Sequence, residues 1–433
     1  IRLPSGEYSE SEEGCLKHLL ETHFPGFQAS STGNTRKPIR YARRDSWALA
    51  NRIVSAEKIR WAIGTFEPFK SPGVDGIYPI LLQKGLDLLV GPLVRIFRAS
   101  LALRHIPEGW RTARAVFIPK AGRTSHVTVK DYRPLSLTSF MLKALERVID
   151  RFLNDDTTGV TPSHPNQFAY TTGYSVENAL HELVSRIEAQ LEKGRFVVAV
   201  FFDVEGAFNH TSPEIVCEEA LKKGVPALVV DWLRDLLSDR KITSTLGRAS
   251  LTGVVGRGCP QGGVLSPKAW NLVADRLLEE LNGGGCYSQA YADDFSALTW
   301  SNCLGAAMDL MQCALNRVTR WCNRTGLSVN PDKTQLVIFT RKHRVGAFTP
   351  PSLAGRRLVR KDSVKYLGVI LDRKLNWKEH LEHQRRKFYA AFWLCRSTFG
   401  ATWGLKPKMV LWLYNAVLIP RVTYASLVWW PRV

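Results

Sequence analysis

Tyr291-Ala292-Asp293-Asp294 places two adjacent carboxylates between two short runs of largely apolar residues, 286–290 and 295–300. This pattern predicts a β-hairpin with an acidic tip. Adjacent aspartates repel each other, so a tight turn that contains them is favourable when a cation neutralises their charge. Carboxylate oxygens are the ligands that hard divalent ions prefer, Mg²⁺ above all. Taken alone, the Asp-Asp pair could also belong to an ordinary surface turn.

Asp203 is a third candidate carboxylate. It follows residues 195–202, a nearly continuous run of β-branched and aromatic side chains that predicts a buried central strand. A charge at the end of such a strand is costly unless it is paired or bound to a ligand. Metal-dependent phosphoryl transfer uses carboxylates to hold two ions about 3.5–4 Å apart. Asp203 can complete that set if its strand and the hairpin are neighbours in one sheet, whereas by itself it could cap a helix beginning near Gly206.

Further motifs surround these carboxylates in a fixed order. Phe-Asp-Val-Glu-Gly-Ala-Phe occupies 202–208, Gly-Cys-Pro-Gln-Gly occupies 258–262, and the acidic hairpin follows at 291–294. These stretches resemble the first, second and third palm motifs of reverse transcriptases. Other blocks similar to those of the non-LTR (LINE-type) retrotransposon enzymes extend the resemblance over about 55–431, and they lie at 70–76, 117–120, 131–137, 166–168, 173–175, 326–330, 333–334 and 365–368.

The resemblance implies an α+β fold, a right-hand polymerase with fingers, a palm of antiparallel sheet backed by helices, and a helical thumb. We expect an N-terminal extension in 1–54, mainly fingers in 55–190 and mainly palm in 191–345. The primer-grip hairpin and the end of the palm follow in 346–379, and the thumb follows in 380–433. Apolar spacing independently predicts helices at 56–63, 80–103, 138–154 and 380–395, and strands at 114–119 and 364–371.

The resemblance also assigns roles at the centre of the chain. Asp203, Asp293 and Asp294 would be catalytic, and together with Val204 they would hold two Mg²⁺ ions, with Mn²⁺ as a substitute. Contacts to primer or template are implied for four residues, namely Tyr291, Tyr366, Leu367 and Gly368.

Two cations are candidates for binding the phosphates of an incoming nucleotide. Lys120 lies beside Pro119 at a predicted strand end, and Arg133 lies in Asp-Tyr-Arg-Pro, a stiff context that would preorganise its guanidinium group. The resemblance places both in the fingers. The alternative is a pair of solvated surface cations, the commoner fate of lysine and arginine.

Three more residues are candidates for substrate contact. The resemblance places the ring of Phe208 under the sugar, where it would exclude a 2′-hydroxyl group, although a core phenylalanine would look the same in sequence. Gln261, between proline and glycine, would reach template or nucleotide, or would simply be a turn residue. Lys333 would protonate the leaving pyrophosphate, or would be an exposed lysine. Asn209 departs from the acidic residue common there in LINE-type enzymes, which leaves a local salt bridge in doubt.

Composition favours a nucleic-acid partner. Lys and Arg number 59 against 39 Asp and Glu, which gives a formal net charge of +20, while 45% hydrophobic residues are enough for buried cores. We expect an RNA template, a DNA primer or target DNA and deoxynucleoside triphosphates as partners, and no membrane. The basic cluster Arg36, Lys37, Arg40, Arg43 and Arg44 could be a linker or a phosphate-binding arm.

The eight cysteines form no C-x-x-C pair and are typical of reduced thiols. We therefore expect an intracellular protein of the cytoplasm and nucleus. The chain begins at Ile1 without a methionine and ends after an apolar Trp-Trp-Pro stretch. It is therefore expected to be part of a longer polyprotein, and in the resembled elements an endonuclease and a ribonuclease H are the expected neighbours.

These features together predict an RNA-directed DNA polymerase of the LINE type. A group II intron-type reverse transcriptase is the alternative among relatives. A catalytically inactive, polymerase-shaped nucleic-acid scaffold is the alternative from another class. Retention of Asp203, Asp293 and Asp294 discriminates between enzyme and scaffold, because a scaffold has no use for charges that repel one another without metal.

Overall fold

The computed structural model describes residues 1, 8–9, 11–29, 41–120, 122, 125–398, 400 and 403–432. The chain divides into two compact units, each assembled from separated stretches of sequence. The first unit comprises Ile1–Ser163, Gly206–Arg276 and Asn323–Leu327. The second comprises His164–Glu205, Leu277–Cys322 and Ser328–Val433. The connection between Glu205 and Gly206 therefore joins one unit to the other within a single predicted motif.

Helices and strands are interspersed along the chain. The α-helices of the described residues are α1 (Glu12–His23), α2 (Arg44–Ile53), α3 (Ala56–Gly64), α4 (Pro79–Lys84), α5 (Leu86–Ala102), α6 (Glu108–Arg111), α7 (Phe140–Leu153), α8 (Val176–Glu192), α9 (Ala207–His210), α10 (Pro213–Lys222), α11 (Ala227–Leu237), α12 (Ser266–Asn282), α13 (Leu304–Thr325), α14 (Lys378–Arg396), α15 (Pro407–Leu413), α16 (Ile419–Thr423) and α17 (Ser426–Trp429). The strands are β1 (Gln28–Ala29), β2 (Thr112–Pro119), β3 (Tyr132–Leu137), β4 (Phe196–Glu205), β5 (Arg240–Leu246), β6 (Ala249–Val255), β7 (Tyr287–Tyr291), β8 (Asp294–Ser301), β9 (Ser328–Val329), β10 (Gln335–Phe339), β11 (Ser352–Leu353), β12 (Arg356–Arg357), β13 (Arg360–Lys361), β14 (Ser363–Tyr366) and β15 (Val369–Asp372).

The first unit combines a helical core with a sheet of order β1-β6-β5-β2-β3. Helix α7 begins where the Ser139 hydroxyl accepts a hydrogen bond from the Met141 N–H at 3.1 Å, which satisfies one free donor of its first turn. Its apolar residues recur on one face, so Leu145, Val148 and Ile149 are fully buried in a core shared with α3, α5 and α11. Burial of each such side chain contributes about 1.5–3 kcal/mol relative to exposure.

The second unit is built around β4. Antiparallel neighbours flank this strand, β8 on one side and β10 on the other, and β7 and β13 extend the sheet outward. Helix α8 packs Leu183 and Ile187 against Val197 and Ala199 of β4, and the hairpin of β14 and β15 adds Tyr366 to the same core. A strand with ladders on both edges cannot shift register without breaking both, so β4 is the fixed element of this unit.

The predicted helices over 56–63, 138–154 and 380–395 and the predicted strand over 114–119 are confirmed with small changes of boundary. The predicted helix 80–103 is wrong as a single element. Gly85 donates to the Leu81 carbonyl at 3.0 Å and ends α4, after which α5 begins at Leu86. The strand predicted over 364–371 is two strands, because the chain reverses at Leu367 and Gly368.

Asp203 was expected to follow its strand. It lies inside β4, which continues to Glu205, because Val204 and Glu205 still pair with β9. The predicted basic cluster lies partly outside the described residues, since these exclude Arg36, Lys37 and Arg40, while Arg43 and Arg44 stand at the start of α2. No helix of the described residues has both the length and the apolar character needed to cross a membrane.

Gly73, in the block at 70–76, lies against the main chain that leads into α7. A Cβ atom there would stand 2.8 Å from the Ser139 nitrogen and 2.9 Å from the Thr138 carbonyl carbon. We therefore expect Gly73→Ala to lower the free energy of unfolding by about 1–3 kcal/mol, since backbone cannot move aside as a side chain can. Urea denaturation measures the change.

Gly64→Ala is the matched control. Gly64 is the last residue of α3 and has open space around its would-be Cβ, so this change should stabilise the protein by about 0.5–1 kcal/mol. Equal effects of Gly73→Ala and Gly64→Ala would contradict the close packing at Gly73.

Candidate active site

Asp203 and Asp294 face each other across two central strands. They are register partners in the antiparallel pairing of β4 with β8, and the adjacent pair, Phe202 and Phe295, stacks with ring centroids 5.3 Å apart. Directly opposed residues in such a pair have Cβ atoms about 4.5–5.5 Å apart. Like charges at this position destabilise a sheet. The buried aromatic pair beside them stabilises the same part of the ladder and offsets this local repulsion.

Asp293 completes the acidic group from the adjoining turn. Tyr291 pairs with Asp294, so Ala292 and Asp293 are the two loop residues of a tight hairpin between β7 and β8. The Val204 N–H donates to the Asp293 carbonyl at 3.3 Å, which ties the turn to β4. The three aspartates predicted from sequence therefore lie together within the second unit, and the predicted acidic hairpin is confirmed.

Burial and neighbouring negative charge raise the pKa of two of these carboxylates, Asp203 and Asp294. Burial, followed by the negative charges of Asp293 and Asp294, raises the pKa of Asp203 to about 7. Asp294 is exposed, yet neighbouring protein atoms remove enough water to raise its pKa to about 6, and the charge of Asp293 adds to that increase. Near neutral pH, a nearby positive charge therefore stabilises this cluster of three carboxylates.

These carboxylates fit a hard divalent ion by charge and by donor type. All three offer oxygen ligands, which Mg²⁺ prefers, and no cysteine or histidine is among them. Within the described part of the chain, no group of three His, Cys, Asp or Glu side chains is already gathered closely enough to hold a metal ion.

A second charged pair lies beside Asp203. Lys333 Nζ is 3.2 Å from Glu205 Oε1, and the Asn330 side-chain amide donates to the same oxygen at 3.1 Å. The charge of Lys333 lowers the pKa of Asp203, whereas the charge of Glu205 raises it. Lys333 was a sequence candidate, but Glu205 was missed. Its position two residues after Asp203, on the same side of a strand, was the available signal.

The hairpin of β14 and β15 presents the predicted primer-contact residues. Leu367 and Gly368 form its turn with φ of 45° and 85°, the pattern of a two-residue type I′ hairpin. The Tyr424 hydroxyl donates to the Leu367 carbonyl at 2.7 Å. Tyr366 is buried with its ring 5.1 Å from that of Phe201, and burial raises its pKa to about 12. Its side chain therefore anchors the hairpin, and Lys365 is exposed next to it.

Lys120 and Arg133 belong to the first unit and share one face of the β2–β3 pair. Arg133 is exposed and opposes Ile118, and the Lys120 N–H extends the ladder by donating to the Asp131 carbonyl at 2.8 Å. Side chains two residues apart on a strand point the same way, so Lys120 and Ile118 lie on the face of Arg133.

Phe208 and Gln261 lie in two hydrogen-bonded segments of the first unit. The Cys259 N–H donates to the Phe208 carbonyl at 2.6 Å, and the Gln261 side-chain amide lies 3.4 Å from the Asn209 oxygen. Asn209, which departs from the family pattern, therefore contacts Gln261. Phe208 is half-buried, and its ring centroid lies 6.1 Å from that of Trp270.

Two buried charged residues hold the ends of the loop that carries Gln261, and sequence reasoning missed both. Arg240 donates to the carbonyls of Arg257 and Gly258 at 2.5 and 2.7 Å. Glu146 accepts from the Leu265 N–H at 2.8 Å. Burial lowers the pKa of Arg240 to about 10 and raises that of Glu146 to about 7. Glu146 lies within the apolar pattern of α7, which was the signal available in the sequence, whereas Arg240 begins a strand rich in threonine and serine and had no such signal.

Residues 118–371 match the protein family described as reverse transcriptase (RNA-dependent DNA polymerase). The chain is 30% identical over 405 residues to a probable RNA-directed DNA polymerase from transposon BS of Drosophila melanogaster, which covers 90% of this chain and 44% of that protein. It is 27% identical over 440 residues to the RNA-directed DNA polymerase from mobile element jockey of the same species, covering 98% and 47%. It is 25% identical over 431 residues to the Pol polyprotein of the type-1 retrotransposable element R1 of Bradysia coprophila, covering 98% and 41%.

The chain belongs to the reverse transcriptase family. Its relatives include RNA-directed DNA polymerases of non-LTR retrotransposons, so the resemblance found in the sequence is confirmed. The chain spans less than half the length of these relatives. Its mixed helix and sheet structure is consistent with such a domain.

Asp203→Asn should stabilise the metal-free protein at pH 8. The raised pKa means that the folded state holds a proton at Asp203 more tightly than the unfolded chain does, so this residue's contribution to stability falls as pH rises from about 4 to about 7. Removing the charge should therefore add about 1–3 kcal/mol to the free energy of unfolding at pH 8 and almost nothing near pH 4. Urea unfolding in a chelating buffer at both pH values measures the difference.

Asp87→Asn is the control, since the Asp87 side chain is 90% exposed and far from this group in sequence. It should give no pH-dependent gain. A variant at Asp203 that is no more stable than the parent at pH 8 would contradict the raised pKa of Asp203.

Proposed function

We propose that this chain is an RNA-directed DNA polymerase of the non-LTR retrotransposon type, which extends a DNA primer on an RNA template. The observation that carries the proposal is the pairing of Asp203 with Asp294, with Asp293 in the adjoining turn. The names of the relatives support the same reading. Burial and the charges of Asp293 and Asp294 raise the pKa of Asp203, and this arrangement disfavours a catalytically inactive scaffold, which gains nothing from the repulsion.

Asp203, Asp293 and Asp294 would hold two Mg²⁺ ions, with Mn²⁺ as a substitute. Val204 would contribute its main-chain oxygen, because its side chain is apolar and buried. Bound ions of this kind neutralise the charge that develops on the attacking and leaving oxygens in phosphoryl transfer. The protein's own contribution is placement, since the β4–β8 ladder and the tight turn fix the backbone of all three residues before substrate arrives.

The other candidates divide by the part of the nucleotide that they would contact. Arg133 and Lys120 would bind its phosphates from one face of the β2–β3 pair. Phe208 would contact the sugar, and Gln261 would contact the base or the template strand. Lys333 would donate a proton to the leaving pyrophosphate. Its ion pair with Glu205 would hold the ammonium group beside the carboxylates.

The division into fingers, palm, primer grip and thumb is also part of this proposal. We assign the antiparallel sheet of β7, β8, β4 and β10 to the palm, and the hairpin of β14 and β15 to the primer grip. The helices from α14 onward would form the thumb. The expected partners are an RNA template, a DNA primer or target DNA and deoxynucleoside triphosphates, in the cytoplasm and nucleus, with endonuclease and ribonuclease H regions as neighbours in a longer polyprotein.

Asp293→Asn should abolish primer extension on an RNA template in Mg²⁺, with a loss of at least about a thousandfold, because it removes a charged ligand. Binding to an RNA–DNA duplex should persist, since a basic surface supplies most of that affinity. Primer extension and fluorescence anisotropy measure the two quantities. Asp87→Asn is the control that should retain both. Near-normal extension by Asp293→Asn would remove the metal assignment.

Phe208→Val tests sugar selection. If the ring lies beneath C2′ of the nucleotide, shrinking it should raise incorporation of ribonucleotides relative to deoxynucleotides by about one to three orders of magnitude. The ratio of kcat/KM for the two sugars is the measurement. Phe202→Val is the control, because Phe202 stacks in the core on Phe295 and should lose activity toward both sugars equally. An unchanged ratio in a folded Phe208→Val variant would place Phe208 among core residues.

A further inference from the structure

The turn that carries Asp293 contains a strained residue. Ala292 has φ of 58°, in the left-handed region that favours glycine. A side chain with a Cβ atom pays a conformational cost of about 1–2 kcal/mol there. Ala292 is also buried, with 8% of its surface exposed. A strained, buried turn persists only where surrounding contacts hold it.

Gln167 supplies such a contact. Its Oε1 atom accepts hydrogen bonds from the N–H groups of Ala292 and Ala169, each at 3.2 Å. The residue is fully buried, so no water competes for these bonds, and the two N–H donors identify the atom that faces them as the oxygen. The side-chain nitrogen has no partner within the described residues. The contribution of the Gln167 side chain at this position is therefore its acceptor oxygen, Oε1.

The segment around Gln167 is itself fixed to the outer edge of the hairpin. It runs parallel to β7, where the Phe168 N–H donates to the Ala290 carbonyl and the Ala290 N–H donates to the Asn166 carbonyl, both at 2.9 Å. The Asn166 side chain donates to the Ser288 carbonyl at 2.8 Å. These hydrogen bonds fix the register of Gln167 against β7. Its side chain therefore extends to the turn from a segment that is held in place.

We infer that Gln167 is a positioning residue of the active site, which acts on Asp293 and Asp294 by holding the main chain of Ala292 in its left-handed conformation. The inference rests on the proposed function, because it gives Gln167 a role in catalysis through the carboxylates. Without the Gln167 oxygen, Ala292 loses a hydrogen bond and keeps its conformational cost, so the turn relaxes and Asp293 is displaced.

The test is a double-mutant cycle. Gln167→Met keeps size and removes the acceptor, and Ala292→Gly removes the conformational cost of the turn. In the parent, Gln167→Met should lower kcat about tenfold or more, with little change in KM for nucleotide or primer–template. In the Ala292→Gly background the same change should lower kcat by about threefold or less. The midpoints of urea unfolding should show the same dependence on background.

Gln289→Met is the matched control. Gln289 is also fully buried in the second unit, where it donates to the Ala179 carbonyl at 2.8 Å and accepts from the Tyr287 hydroxyl at 2.9 Å. This change also removes two hydrogen bonds, but neither involves Ala292. Its cost in unfolding midpoint should be the same with Ala or Gly at position 292.

The outcomes separate this inference from the proposed function. No extension by the parent protein would overturn the proposed function, and the unfolding midpoints would still test the Gln167–Ala292 coupling. Equal losses from Gln167→Met in both backgrounds, or no loss in either, would overturn the inference while leaving the polymerase intact. If Gln167→Met alone does not fold, recovery of folding by Ala292→Gly supports the inference, and failure of the double variant to fold overturns it.

Discussion

The opposition of Asp203 to Asp294 is the constraint on which the second unit depends. Two like charges face each other in adjacent strands, at a position where a sheet ordinarily carries unlike or neutral pairs. The ladder survives because β4 is bonded on both edges and because apolar residues fill the sheet behind the charges. The sheet therefore holds the carboxylates in place against their own repulsion. Binding of a cation would reduce that repulsion.

The first unit holds its loop by a different device. The segment with Gln261 has an irregular backbone whose polar groups cannot pair in a ladder, so buried side chains satisfy them at both ends. Arg240 supplies donors to the incoming carbonyls, and Glu146 supplies an acceptor to the outgoing N–H. Removal of either partner would leave buried backbone groups unpaired, which costs more than the bond itself contributes. Gly258 adds close contact with Asn209 that no larger residue permits.

Much of this architecture could be predicted from local patterns in the sequence. The acidic hairpin could be predicted because two apolar runs and a turn lie within a few residues, and the long helices could be predicted from apolar spacing. Glu146, Arg240 and Gln167 could not, because their partners are distant in sequence and a polar letter gives no sign of burial. The β5–β6 hairpin was missed since its strands are rich in threonine and serine, although Gly247 marks its turn.

The division of the chain has a consequence for recombination between related elements. Both units are discontinuous, and the junction between Glu205 and Gly206 separates Asp203 from Phe208 although the two are near neighbours in sequence. A single crossover anywhere between residues 164 and 327 leaves both units built from two parents. The buried core of each unit must then pack residues that were selected apart, so viable chimaeras should concentrate where exchanged segments carry compatible core side chains. Related elements are therefore expected to exchange long segments of this chain rather than short ones.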